Sequence, residues 1–358
     1  MTVDDFLKEW HSEEPFVVAH TSGSTGKPKE IKLLKADMRA SAALTNRFFS
    51  IGSGSTLLLC LSPDYIAGKM MIVRAEEAGA TLLVESPSNR PLEHFSGATV
   101  DLLAVVPSQA LWLAEHQESL NNVRNMIVGG GEITPRLRTM LSQLHVNAYA
   151  TYGMTETCSH VALSRIAEPA QPFEALPPVT FATDHRGCLA INAPQFSFKH
   201  LQTNDIVDLI APDRFYWRGR YDNVVNTGGI KVFPEELERK ISHLFTRRFY
   251  ISSRPSDKWG QELVLKIEGA PLSPADEASL KNSLADILTP HQRPKAIIAI
   301  PHFAETSSGK VKRQYLFHSR KAECSEISVT LQSVYRIWLK FGTKYADYAS
   351  PGLPQWLP

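Results

Sequence analysis

Long apolar runs are missing from this chain. Its most apolar stretch, residues 56–61, falls far below the ~20 residues that a membrane-spanning helix needs. The opening residues interrupt Val3, Phe6, Leu7 and Trp10 with Asp4, Asp5 and Glu9, whereas a secretory leader has a basic end followed by an unbroken apolar run. The expectation is a cytoplasmic protein. Cysteine is scarce: Cys60, Cys158, Cys188 and Cys324 lie far apart and form no Cys-x-x-Cys pair, so reduced, mostly buried thiols are expected. An excess of either charge is absent too. With 38 Lys and Arg against 37 Asp and Glu the net charge is +1, which removes the broad basic field that nucleic acid or a membrane surface requires. Neither is expected as a partner, although a local patch stays open. Internal repeats and low-complexity tracts are also missing, which removes solenoids and arrays.

What is present is ordinary globular material, 43% hydrophobic and 21% charged over 358 residues, roughly two domains' worth of chain. From Phe16 to about Ala211, short β-rich runs alternate with longer amphipathic ones, the pattern of an α/β sheet. Strands are expected over 16–20, 56–61, 80–84, 102–106, 125–128 and 148–152, and helices over 35–49 and 135–144. Around Arg218 to Asp222 the character changes, and a compact α+β pattern follows, with helices over 234–244 and 274–288 and strands over 262–267 and 296–300. The expected architecture is a large α/β N-terminal domain (1–218), a hinge (219–222), a small mobile α+β C-terminal lid domain (223–320) and a tail (321–358) whose role the sequence does not define.

After the first strand comes Thr21-Ser22-Gly23-Ser24-Thr25-Gly26-Lys27-Pro28-Lys29. Glycines for tight curvature, small hydroxyl residues as donors and a lysine for charge are what a phosphate cradle needs. Only two residues separate Gly23 from Gly26, and Pro28 follows Lys27, so this is not a Walker loop. The segment resembles the signature of the adenylate-forming superfamily: acyl-CoA synthetases, luciferases and peptide-synthetase adenylation domains. Five further segments match that family in order.

Tyr152-Gly153-Met154-Thr155-Glu156-Thr157 follows a strand; the resemblance gives Thr155 to an α-phosphate and Glu156 to Mg²⁺, a hard cation that favours oxygen ligands and shared phosphates. Gly129-Gly130-Gly131-Glu132 lies at a strand end, where open α/β sheets bind ligands, and is assigned to adenine contact. Thr203-Asn204-Asp205 and Gly219-Arg220-Tyr221-Asp222 imply Asp205 on the ribose, Arg220 near ribose or phosphate and Asp222 as the hinge residue. The family usually has Gly where this chain has Asn204, and Asn tolerates left-handed backbone, so the turn is expected to survive. Gly228 and Gly229 match the loop that lines a narrow thiol channel, and Lys310, in Thr306-Ser307-Ser308-Gly309-Lys310, matches the adenylation lysine.

The resemblance implies ATP, Mg²⁺ and coenzyme A as cofactors, with Lys27, Lys310, Thr155 and Glu156 as the catalytic set. An acid would attack the α-phosphorus of ATP to give an acyl-adenylate, and the small domain would then turn about Asp222 to admit a thiol. The segment from Leu61 to Arg74 looks like the acyl-pocket helix of o-succinylbenzoate–CoA ligases of menaquinone synthesis, and the whole chain is similar to their compact form. That acid carries a second carboxylate, so a pocket cation makes physical sense. Lys69 is the first candidate and Arg74 the second, with Ser108, Ser159 and His160 as further lining; the plain alternative puts both cations in solvent and His160 in the core. Rival readings are a ligase for another acid, an adenylation domain loading a carrier protein, and a regulatory module that binds nucleotide without catalysis. The sequence does not define an oligomeric state; a homodimer is one option.

Overall fold

The computed structural model describes residues 1–20, 30–95, 97–305 and 311–313. Helix α1 (Val3–Trp10) is started by a capping box, in which Thr2 and Asp5 each bond the other's backbone N–H, and it buries Phe6 and Trp10. Strand β1 (Phe16–His20) pairs only with β2 (Glu30–Leu34), antiparallel, in a two-stranded sheet of their own. The glycine-rich segment therefore joins the arms of a hairpin whose last registered pair is His20 with Glu30. The sequence pattern instead suggested a strand of the main sheet. Helix α2 (Lys35–Phe49) follows and stops at Ser50, which is left-handed.

The main sheet grows by β-α-β crossovers: β3 (Thr56–Leu59), α3 (Ile66–Ala78), β4 (Thr81–Val84), β5 (Val100–Val105), α4 (Pro107–Glu115), β6 (Val123–Val128), α5 (Pro135–Ser142) and β7 (Asn147–Gly153). These five strands are parallel in the order β4-β3-β5-β6-β7. Strands covered on both faces read as continuous apolar runs. Leu57 and Leu59 of β3 enter one core and Leu58 and Cys60 the opposite one, as the two-residue period of a strand dictates.

From β8 (His160–Arg165) onward the sheet continues antiparallel, through β9 (Phe173–Ala175), β10 (Thr180–Thr183), β11 (Cys188–Ala193), β12 (Lys199–Ala211) and β13 (Arg214–Arg220). The complete order of this 11-stranded sheet is β10-β11-β12-β13-β9-β8-β7-β6-β5-β3-β4. A second, five-stranded sheet begins five residues later with β14 (Val225–Thr227) and β15 (Ile230–Val232). Helix α6 (Pro234–Ile241), β16 (Phe249–Ser256), β17 (Gly260–Glu268), α7 (Pro274–Ile287) and β18 (Ala296–Ile300) complete it. Its own core includes Val225, Leu237, Ile251, Leu265 and Leu284. Both lobes belong to one compact unit, Met1–Arg313. Among the described residues no helix is long and apolar enough to cross a membrane, and Cys60, Cys158 and Cys188 are free and buried.

The turn into α3 is tight because Gly68 packs against backbone: a Cβ there would overlap the carbonyl oxygen of Ser62. Backbone cannot step aside as a flexible side chain can, so Gly68→Ala should destabilise the protein by ~1–3 kcal/mol, the usual range for overpacking. Urea denaturation should show a lowered midpoint with an unchanged slope.

Candidate active site

The carboxyl ends of β5, β6 and β7 lie side by side, the edge at which open α/β sheets bind ligands. Past β6, Gly129 lies so close to the Thr151 hydroxyl that a Cβ would overlap it, Gly130 has φ +79°, and Gly131 abuts Pro107. Ser108 is exposed in the first turn of α4, beside this glycine turn. Past β7, Gly153 faces the Ser159 carbonyl, again with no room for a Cβ. The chain then makes a short 3-10 turn, Thr155–Thr157, pinned by Thr157 Oγ1, which accepts from the Met154 amide at 3.0 Å and donates to the Ser159 carbonyl at 2.6 Å. Cys158 follows with φ +60°, and the Ser159 amide reaches back to the Thr157 carbonyl at 2.7 Å. That tight reversal leaves Thr155 half-buried and Glu156 exposed.

Tyr152 points the other way, into the sheet. Its hydroxyl donates to Asp205 Oδ2 at 2.8 Å, and the Trp217 indole donates to Asp205 Oδ1 at 3.2 Å. Burial and the adjoining Asp205 carboxylate push the Tyr152 phenol above its ordinary pKa. Arg220 reaches Asp205 at 3.8 Å and Asp222 at 3.2 Å. Asn204 lies within the extended strand β12 rather than in a left-handed turn. Its side chain accepts from Arg186 at 3.1 Å and donates to Asp222 at 3.4 Å, a bridge that glycine could not make. Tyr152, Asp205, Arg220 and Asp222 thus form one hydrogen-bonded group. Trp217 belongs to it as well, and no motif in the sequence marks that residue.

Both α3 cations are buried, each only 1% exposed, not solvated. Lys69 is committed to α1: its ammonium lies 3.5 Å from Glu9 and over the Phe6 ring at 4.6 Å. Burial lowers its pKa, and Glu9 opposes that. Arg74 has no acidic partner among the described residues. Its Nη2 donates to Ser159 Oγ at 2.6 Å, its Nη1 lies 3.5 Å from the Met71 sulfur, and its Nε is buried without a partner. Burial lowers the guanidinium pKa to about 9. His160 is buried beside it, and burial followed by the Arg74 charge drives its pKa well below the usual imidazole value.

In the second lobe, Gly228 (φ +59°) and Gly229 (φ +83°) form the tip of the β14–β15 hairpin, the geometry a two-residue turn of this kind requires. Gly228 is held by the Trp259 carbonyl at 2.9 Å. Glu238 of α6 takes a bidentate pair from Arg313 at 2.6 and 2.8 Å. Glu132 stays accessible to solvent, yet loss of hydration between these elements and the charges of Glu238 and Glu235, against Arg239 and Arg313, raise its pKa to about 7. Thr21, Ser22, Gly23, Ser24, Thr25, Gly26, Lys27 and Lys310 lie outside the described residues.

A family model described as AMP-binding enzyme matches residues 4–185. The chain belongs to the AMP-binding enzyme family. It is 35% identical to the acyl-CoA synthetase (AMP-forming)/AMP-acid ligase II-like protein of Dyadobacter fermentans, over 86% of this chain and 91% of that one, with a TM-score of 0.58. The 2-succinylbenzoate–CoA ligase of Lactococcus lactis is 23% identical over 86% of this chain and 72% of its own length. The o-succinylbenzoate coenzyme A synthetase of Bacillus subtilis, solved with ATP and magnesium ion, has the same fold, with a TM-score of 0.69 at 19% identity over 83% of this chain and 68% of that one. The adenylate-forming architecture expected from the motifs is thus the one the AMP-binding family shares.

The Glu132 environment has a pH signature. A carboxyl whose folded pKa is raised to about 7 favours the folded state fully below its unfolded pKa of ~4.3, and that contribution is lost as pH rises through the folded pKa. Because Glu132 is exposed and solvent screens it, the natural protein should lose only a small part of its stability relative to Glu132→Gln between about pH 5 and pH 8. Thermal denaturation of both proteins across that window measures the difference.

Proposed function

We propose that this AMP-binding enzyme is an AMP-forming ligase that activates o-succinylbenzoate and passes it to coenzyme A. The observation that carries the choice of acid is Arg74, a buried guanidinium with no carboxylate partner, and a buried Nε with no partner, among the described residues. A buried charge needs compensation, and an acid with a carboxylate besides the one being activated supplies it. Of the two cations considered, Arg74 takes this role, because Lys69 is already paired with Glu9. In this reading Ser159, His160 and Ser108 would line the approach. The names of the relatives from Lactococcus lactis and Bacillus subtilis agree with this acid.

In this reading the acid's reacting carboxylate attacks the α-phosphorus of ATP, an approach of anion to anion that the site must offset. Lys27 and the amides and hydroxyls of Thr21 to Gly26 would hold the departing phosphates. Thr155 would donate to the α-phosphate, and Lys310 would meet the oxygens around it. The turn from Gly129 to Glu132 would face adenine beside Tyr152 and Gly153, while Asp205 and Arg220 would meet the ribose. Among the described residues no group of three or more His, Cys, Asp or Glu could hold a metal ion. A single exposed carboxylate, Glu156, fits Mg²⁺, which binds through one or two carboxylates plus substrate phosphates. When bound there the ion would supply charge neutralisation at the phosphates. Breaking the P–O bond releases pyrophosphate, and the coenzyme A thiol would then attack the acyl carbon, forming the thioester as the acyl–O bond breaks and AMP leaves. Rotation about Asp222 would exchange Lys310 for Gly228 and Gly229 between the two steps.

Mass spectrometry of a mixture of protein, ATP, Mg²⁺, coenzyme A and o-succinylbenzoate should detect o-succinylbenzoyl-CoA and AMP; release of ADP, or product only with a phosphopantetheinyl carrier protein, would overturn the proposal. Arg74→Met should raise KM for o-succinylbenzoate roughly 10- to 100-fold, the worth of one hydrogen bond to a charged group, while leaving KM for ATP in place. Lys310→Ala should abolish adenylate formation yet still convert supplied acyl-adenylate to thioester. Equal loss in both half-reactions would count against the rotation.

A further inference from the structure

Behind Arg74 a chain of buried hydrogen bonds runs back into α2, and counting donors gives it a direction. The Thr45 hydroxyl donates to the Ser41 carbonyl one turn earlier, at 3.3 Å, a familiar back-bond for threonine in helices. If its one proton stays in that back-bond, Thr45 Oγ1 meets His160 Nε2, at 3.1 Å, as an acceptor. A neutral imidazole carries a single N–H. With that proton on Nε2, the Nδ1 atom is bare and accepts from the Ser159 hydroxyl at 3.3 Å. Ser159 thereby turns its proton toward His160 and its lone pairs toward Arg74 Nη2 at 2.6 Å. The backbone of the same arginine is anchored from α2 as well, by Asn46 Nδ2 on the Arg74 carbonyl at 2.9 Å.

We infer that Thr45 and His160 are positioning residues for acid selection: by holding the Nε2–H tautomer they fix the Ser159 hydroxyl, and through it the plane of the Arg74 guanidinium that receives the substrate's second carboxylate. This rests on the reading of Arg74 given above. Neither residue touches the reacting atoms. Remove the acceptor at Thr45, and the imidazole proton moves to Nδ1, where it donates to Ser159. Ser159 then spends one lone pair on His160, its own proton is left without its acceptor, and the hydroxyl turns relative to the Arg74 guanidinium.

Thr45→Val keeps the shape of the side chain and deletes the acceptor; Thr45→Ser restores it. Nitrogen-15 NMR of histidine-labelled protein reads the tautomer directly, and steady-state kinetics with o-succinylbenzoate and with benzoate read acid selection. The expected result is an Nε2–H tautomer at His160 in the natural protein and in Thr45→Ser, and an Nδ1–H tautomer in Thr45→Val. In Thr45→Val, KM for o-succinylbenzoate should rise roughly three- to tenfold, the size of one neutral hydrogen bond, with kcat and the KM values for ATP and benzoate unchanged. An Nδ1–H tautomer in the natural protein, an unchanged KM for o-succinylbenzoate in Thr45→Val, or an equal rise for both acids would overturn the inference. Arg74→Met, measured in parallel, separates the two readings. If it loses discrimination while Thr45→Val keeps it, only the positioning role fails. If Arg74→Met itself keeps discrimination, the receptor assignment fails and the acid-selection role falls with it.

Discussion

Burying the Arg74 guanidinium with no acid beside it among the described residues is the constraint around which α2, α3 and the start of β8 are arranged. Moving a charge out of water is costly unless hydrogen bonds or an opposite charge replace the lost hydration. Within the described chain the replacement is partial: a serine hydroxyl and a methionine sulfur contact the guanidinium, and one nitrogen is left bare. The elements that close over it cannot then be interchangeable apolar packing. Helix α2 contributes Ser41, Thr45 and Asn46, all buried polar residues on the face toward α3 and β8. The turn before β8 contributes Ser159 and the first residue of β8 is His160; the turn reaches Arg74 because Gly153 lets the chain fold back against the end of β7.

How much of this could be read in advance depends on which physical signal each part carries. Three elements, residues 16–20, 35–49 and 296–300, have the bounds that apolar periodicity and flanking residues suggested. The parallel strands were legible because burial on both faces makes them unbroken apolar runs. The antiparallel half carried no strand expectation from β8 to β13, and brevity explains this only for β9 and β10, which span three and four residues. The partner of β1 was hidden for another reason. Pairing is a tertiary fact, and β2 alternates polar and apolar residues that fit an exposed hairpin as well as a loop.

The site divides along the same line. The resemblance marked the glycines, Thr155, Glu156, Tyr152 and Asp205, because each sits in a short contiguous segment of the chain. The partners that give those groups their surroundings are distant in the chain: Trp217 on Asp205, Glu9 on Lys69, Thr45 on His160. A lysine and an arginine five positions apart on one helix look alike in sequence, yet one is neutralised by α1 and the other is not. Asn204 is the reverse case, a departure visible in the sequence whose effect, a link from β12 to Arg186 and Asp222, needed the structure.

The Asp205 carboxylate has a thermodynamic consequence for any ligand that comes to it. Both of its oxygens already accept a proton, from the Tyr152 phenol and the Trp217 indole, but a carboxylate offers about four lone-pair sites. Incoming sugar hydroxyls would occupy the spare valence without evicting the residents. In the proposed role such a receptor would be rigid before it is filled, so little ordering entropy would remain to be lost when a nucleotide arrived.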